Sequence, residues 1–126
     1  MKATKKLTWI LAVLAMVMMN TQPGAAIYST TNLTRSSQFI LDARADVGDV
    51  AVTIYWLKQG TIVDIDLLVS PNGLMSIPRR AERAVFEASG AGGTGLFRVS
   101  QNGVTLEEVP IGGTAPLDVT VVFDIS

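Results

Sequence analysis

Between Leu117 and Ile125, apolar side chains fall at every second position: Leu117, Val119, Val121, Phe123 and Ile125. Successive strand residues point to opposite faces, so these five form one unbroken apolar row. Asp118, Thr120 and Asp124 point the other way, with Val122 as the exception. Such a row either closes the chain's own core or is offered to another chain. The same period runs from Thr61 to Val69, where Val63, Ile65, Leu67 and Val69 share one face and Asp64, Asp66 and Leu68 the other. Val50 to Leu57 is rich in β-branched and aromatic residues and is followed by Gly60. Gln38–Ala43 and Ala84–Ala88 read as two more strands, and Met75–Pro78 as a short edge segment after the Pro71-Asn72-Gly73 turn signal. Leu96–Ser100 and Val104–Val109 flank Asn102-Gly103 and predict a hairpin.

No stretch shows a 3.6-residue apolar period. The Arg79–Glu87 region is the one place where a helical turn would fit. Gly90 to Gly95 reads as a mobile hairpin loop, and Pro110 to Pro116 as a connection into the last strand. About seven short strands, with turn signals roughly every ten residues, predict an all-β fold: an antiparallel, immunoglobulin-like β-sandwich.

The first 26 residues follow a different rule. Lys2, Lys5 and Lys6 precede the thirteen-residue stretch Leu7–Met19, apolar except for Thr8, and Gly24-Ala25-Ala26 follows. A basic region, an apolar stretch and small residues at a cut site are the pattern of a cleaved export signal. The apolar run is short of the ~20 residues a membrane span requires. The expectation is a signal peptide over 1–26, cleavage after Ala26, and a single domain over 27–126 in the periplasm or secreted.

With the three signal lysines set aside, seven basic and eleven acidic residues remain, a net charge of −4. That balance gives no basic footprint for nucleic acid. The chain has no Cys and no His, which excludes disulfides, the usual zinc ligand sets and the usual Ser-His-Asp and Cys-His sites.

Carboxylates are the remaining candidates for chemistry. Asp64 and Asp66 have the spacing of paired acids for glycoside hydrolysis, but with Trp56 the only Trp after residue 26, little material exists for a sugar cleft. A solvated strand face is the simpler reading. Asp42, Asp46 and Asp49 include hard-cation ligand types, but Arg44 stands among them. The glycine-rich loop lacks the Lys-Ser/Thr and helix of a phosphate-binding loop. Arg79, Arg80 and Arg83 form a small basic patch, suited either to a partner's carboxylates or to a charged, aggregation-resistant edge. Neighbouring Tyr55 and Trp56 must point to opposite faces, one into the core. The expectation is a protein with no cofactor, no metal and no catalytic residues.

Several segments in order resemble the N-terminal immunoglobulin-like domain of periplasmic pilus-assembly chaperones. They are Ala26-Ile-Tyr-Ser, Val52-Thr-Ile-Tyr-Trp-Leu-Lys-Gln59, Asp66-Leu-Leu-Val-Ser-Pro71 with Ser76-Ile-Pro78, and Gly95-Leu-Phe-Arg-Val99 with Glu107-Glu-Val-Pro110. The resemblance covers most of residues 26–126. It implies a chaperone-like protein that binds pilin subunits, in concert with an usher, by donating an alternating strand. The inserted row would be Leu117, Val119, Val121, Phe123 and Ile125, and pairing would add main-chain hydrogen bonds to side-chain pockets. The family also anchors a subunit carboxylate with a basic pair. Arg35 would stand for its first member, while residues 99–126 contain no Lys or Arg for the second. The resemblance further implies a version without the family's second domain. A looser likeness, carried by Asp64–Gly73 and Gly95–Val99, is to secreted prepeptidase-type β-sandwich modules. It implies a small secreted module that binds glycan or protein without catalysis.

Overall fold

A computed structural model of the protein describes residues 26–69, 72–111 and 117–126, and the side chains of all of these except Asn72 and Leu117. The expected signal peptide, apart from Ala26, therefore lies outside the described residues. The strands are β1 (Ile27–Tyr28), β2 (Phe39–Ala45), β3 (Ala51–Lys58), β4 (Thr61–Val69), β5 (Asn72–Met75), β6 (Arg83–Gly90), β7 (Gly95–Gln101), β8 (Val104–Ile111) and β9 (Leu117–Asp124). They form a five-stranded sheet in the order β1-β9-β6-β3-β4 and a four-stranded sheet in the order β5-β2-β7-β8. The expected all-β sandwich is the observed class, with nine strands rather than about seven. Asn72-Gly73, read as a turn, opens β5 and pairs with β2 instead. The Arg79–Glu87 region holds no helix: Arg79 and Arg80 sit in a turn and β6 begins at Arg83.

Each sheet turns its inner face to the other. Phe39, Leu41 and Ala43 of β2 and Phe97 and Val99 of β7 meet Val52, Ile54 and Trp56 of β3, Phe86 of β6 and Val121 and Phe123 of β9 in one buried cluster. Phe86 lies at its centre. Its ring makes edge-on contacts with Phe39 at 5.8 Å, Phe97 at 6.1 Å, Phe123 at 5.6 Å and Trp56 at 6.4 Å between centroids. These tilted geometries set the positive edge of one ring against the negative face of the next. The Trp56 indole N–H, at the rim of the core, donates to Asp66 at 2.8 Å, so the large ring carries no orphaned polar group.

Two hairpins use the turn their sequences predict or permit. In β7–β8, Asn102 and Gly103 have φ of 54° and 76°, the pair of positive values a two-residue type I′ turn requires. In β3–β4, Gln59 and Gly60 adopt the same region at 52° and 76°. Gly95 is required for another reason: a Cβ there would lie 2.0 Å from the Arg44 carbonyl oxygen, so β2 and β7 could not pair at this register.

The loop from Ser29 to Gln38 is held by side chains. Buried Gln101 accepts from the Thr34 N–H at 2.8 Å and donates to the carbonyls of Thr34 and Ser37. Arg35 donates to the carbonyls of Arg79 at 2.6 Å and Ala81 at 2.5 Å.

Replacing Phe86 with Ala removes the ring that touches four others and leaves a cavity between the sheets. Such truncations cost about 3–5 kcal/mol, comparable to the whole stability of a small domain. Denaturant unfolding of Phe86→Ala is expected to show a population largely unfolded in buffer, and Phe97→Leu a smaller loss.

Candidate functional site

The closing strand β9 lies inside its sheet. It pairs antiparallel with β6 over its full length, from Gly90↔Leu117 to Arg83↔Asp124. On its other side it pairs in parallel with β1 at Ile27↔Val121 and Tyr28↔Val122, and Leu33 bridges Ile125 beyond. Val121 and Phe123 have 0% of their surface exposed, and Val119 and Ile125 pack half-buried against the same cluster. The side chain of Leu117 is not among those described. The row that the sequence leaves open between core and partner thus closes this chain's own core. The reason is pairing: β6 presents Ala84, Phe86 and Ala88 opposite Phe123, Val121 and Val119 on the inner face. Moving the row into another protein would require taking Phe123 away from Phe86.

Arg35 is likewise committed within the chain, because its guanidinium holds the two carbonyls described above. Of the three clustered arginines, Arg83 pairs with Asp124 at 2.9 Å, while Arg79 and Arg80 are exposed and form no salt bridge among the described residues.

The acidic candidates have structural work. Asp66 accepts from the Trp56 indole, and exposed Asp64 accepts the Ile65 N–H at 2.9 Å, so the two are not poised over a common cleft. Asp46 accepts the Thr94 N–H at 2.8 Å, and its own N–H bonds the Thr94 carbonyl. The glycine-rich loop is therefore tied to the end of β2 rather than being the free loop its composition predicts. Among the described residues no three His, Cys, Asp or Glu side chains gather where they could hold a metal ion.

On the outer face of the four-stranded sheet, Asp42, Arg98 and Glu108 are direct cross-strand neighbours. Asp42 is almost fully buried and pairs with Arg98 at 2.9 Å and Arg44 at 3.6 Å, and Arg98 reaches Glu108 at 3.7 Å. A shallow groove of about 500 Å³ is lined by Asp42 and Arg98 of this ladder together with Ile40, Leu74, Ser100 and Thr105.

The outer face of the five-stranded sheet differs. Tyr28, Val122, Val85, Tyr55 and Ile65 are successive cross-strand partners, an apolar row crossing all five strands. Tyr55 is the partner of Trp56 in the sequence's two-faced pair: Trp56 enters the core and Tyr55 joins this row. Its hydroxyl bonds the Glu87 carboxylate. Burial, then the Glu87 charge and that bond, push the Tyr55 pKa up to about 12. Burial also raises Glu87, the Tyr55 bond opposes the rise, and Asp118 adds to it.

The sheet edges complete the inventory. β1 and β5 are two and four residues long, and β8 carries Glu107, Glu108 and Pro110, devices that discourage strand addition. Among the described residues β4 has a neighbour on one side only, and it runs for nine residues. Its Leu67 and Val69 are 77% and 64% exposed. Sequence alternation locates Leu67 and Val69 on one face of a strand, but only the sheet order shows that the strand is an edge. No protein-family model, no curated protein and no solved structure matches this chain.

Two outcomes follow from these placements. Val121→Asp or Phe123→Asp is expected to unfold the domain, read as loss of the near-ultraviolet circular dichroism of Trp56. Glu87 holds its proton more tightly in the fold than in the unfolded chain, so its contribution to stability is complete below the ordinary carboxylate pKa of ~4.3 and is lost as pH rises through its raised value. Glu87→Gln keeps a partner for Tyr55 without the charge. Its melting temperature is expected to exceed wild type at pH 7, with the difference shrinking in acid.

Proposed function

We propose that this chain is an exported, non-catalytic β-sandwich module that takes a protein partner by strand pairing along β4. The observation that carries this reading is the open nine-residue edge bearing exposed Leu67 and Val69. An incoming strand would satisfy the unpaired main-chain groups of β4, and its alternate side chains would lie beside those two residues. The other edges are short or carry charge and proline, which directs a partner to this one.

The partner class is an extended apolar segment of another exported protein. The chaperone resemblance makes pilin subunits with an unfilled groove the first to test, and the periplasm the expected compartment. That compartment is supported by the basic, apolar and small-residue pattern of residues 1–26. The strand offered is β4, since the alternating row of β9 is held in the core.

A second reading, glycan binding, is favoured by the groove over the Asp42–Arg98 pair, where Ser100 and Thr105 supply hydroxyls and Ile40 and Leu74 apolar surface.

Size-exclusion chromatography of the protein with purified pilin subunits lacking their completing strand tests the first reading. Co-elution is expected for wild type, with at least tenfold weaker binding for Leu67→Lys and Val69→Lys at unchanged melting temperature. No complex, or a complex indifferent to both substitutions, would reject strand pairing at β4. Retention on a glycan array that Arg98→Ala abolishes would favour the groove.

A further inference from the structure

Charge is unevenly spread along the sandwich. At one end lie the β1–β2 loop, the β3–β4 hairpin, the loop from β5 to β6 and the last residues of β9. Arg35, Lys58, Arg79, Arg80 and Arg83 gather here with two acidic residues, Glu82 and Asp124, a net charge of +3. The other described residues hold two basic and nine acidic side chains, a net charge of −7.

Pairing and hydrogen bonds bring the basic groups together. Leu57, beside Lys58, is the strand partner of Arg83, and its carbonyl accepts the Glu82 N–H at 2.7 Å. Arg83 is matched by Asp124, and the Glu82 carboxylate accepts the Gln59 N–H at 3.1 Å. The Pro78 carbonyl accepts the Ala81 N–H at 3.1 Å, so Arg79 and Arg80 occupy the two central positions of a β-turn. Arg35 clamps that turn by donating to the Arg79 and Ala81 carbonyls, and Ala81 is fully buried. The turn's backbone is therefore fixed, while the Arg79 and Arg80 side chains are exposed. Neither they nor Lys58 form a salt bridge among the described residues. A guanidinium fork matches a carboxylate with two parallel hydrogen bonds, and a fixed turn leaves little loop ordering to oppose binding.

We infer that the Pro78–Ala81 turn docks a short acidic segment of a partner protein. Arg79 and Arg80 take its Asp or Glu carboxylates, and Lys58 adds charge from the neighbouring hairpin. Extent and polarity select this partner. The basic region is confined to one end, so a long polyanion laid along the sandwich would meet the nine acidic side chains of the rest. A lipid surface calls for apolar anchors as well as charge, and none of the exposed large hydrophobic residues lies in these loops. A segment with a few carboxylates fits the end and stays clear of the remainder, whose opposite charge orients it before contact. The site lies at the end of the sandwich and is independent of strand pairing along β4.

The test uses the full 126-residue chain and the fluorescence anisotropy of a labelled peptide with a run of Glu in a Gly-Ser frame. Wild type is expected to bind it, more weakly as salt rises, and to ignore the same peptide with Gln in place of Glu. Arg79→Gln combined with Arg80→Gln should weaken binding about tenfold, with an unchanged melting temperature because neither side chain holds the fold. Lys5→Gln combined with Lys6→Gln removes the same charge elsewhere in the chain and should leave binding unchanged. Equal losses in the two double variants would overturn the inference, as would no binding by wild type or equal binding of the Gln peptide. Stronger binding to phosphatidylglycerol vesicles than to the peptide, lost in the arginine variant, would overturn it in favour of a membrane. Self-association of wild type that the arginine variant abolishes would also overturn it, because the acidic segment would then belong to a second copy.

Discussion

The two sheets are held in register by one aromatic ring. Phe86 touches Phe39 and Phe97 across the sandwich and Trp56 and Phe123 within its own sheet. The small residues Ala84 and Ala88 flank it on the inner face of β6. A ring of that size between two small side chains makes a ridge that only one relative position of the sheets can receive, since protein interiors leave few voids. The identity of the closing strand as core follows from this arrangement. Phe123 is one wall of the Phe86 site, so in this structure the inner-face side chains of β9 fill the chain's own core.

Much of this is legible along the chain. The alternation of Thr61–Val69 and Leu117–Ile125 defines strands because period-two burial is a local property of the backbone. The Asn102-Gly103 turn is equally local, as only a few residues tolerate positive φ in succession. What could not be read is non-local. Val122 is an exception within its alternating strand, and so are Val85 and Tyr55 on their own strands. Singly, each looks like noise. The registers of β9, β6 and β3 place all three in one line, and the noise becomes a second apolar face. Likewise, Arg35 has the character of a ligand-gripping residue in the sequence, while the carbonyls it holds lie 44 and 46 residues away. Asn72 and Gly73 carry turn chemistry, yet the pairing of Leu41 and Asp42 with them decides the matter in favour of a strand.

The charged residues follow a common pattern. Asp66 serves the Trp56 indole, Asp46 the Thr94 amide, Asp124 the Arg83 guanidinium and Asp42 two arginines. A chain without His or Cys has few means of nucleophilic or metal chemistry, and its carboxylates are mostly spent on holding strands and loops together.

The position of β9 between β1 and β6 has a kinetic consequence. Among the described residues β1 has no sheet partner except β9, and between β6 and β9 the chain runs through β7 and β8 of the opposite sheet. The β1–β9 pairs Ile27↔Val121 and Tyr28↔Val122 are therefore separated by more of the chain than the pairs of any other two strands, a class of contact that forms late because loop closure precedes any reward. A partly emerged chain has neither its first strand paired nor its Phe86 site walled. Completion of the larger sheet is thus postponed until β9 is free to pair with both β6 and β1.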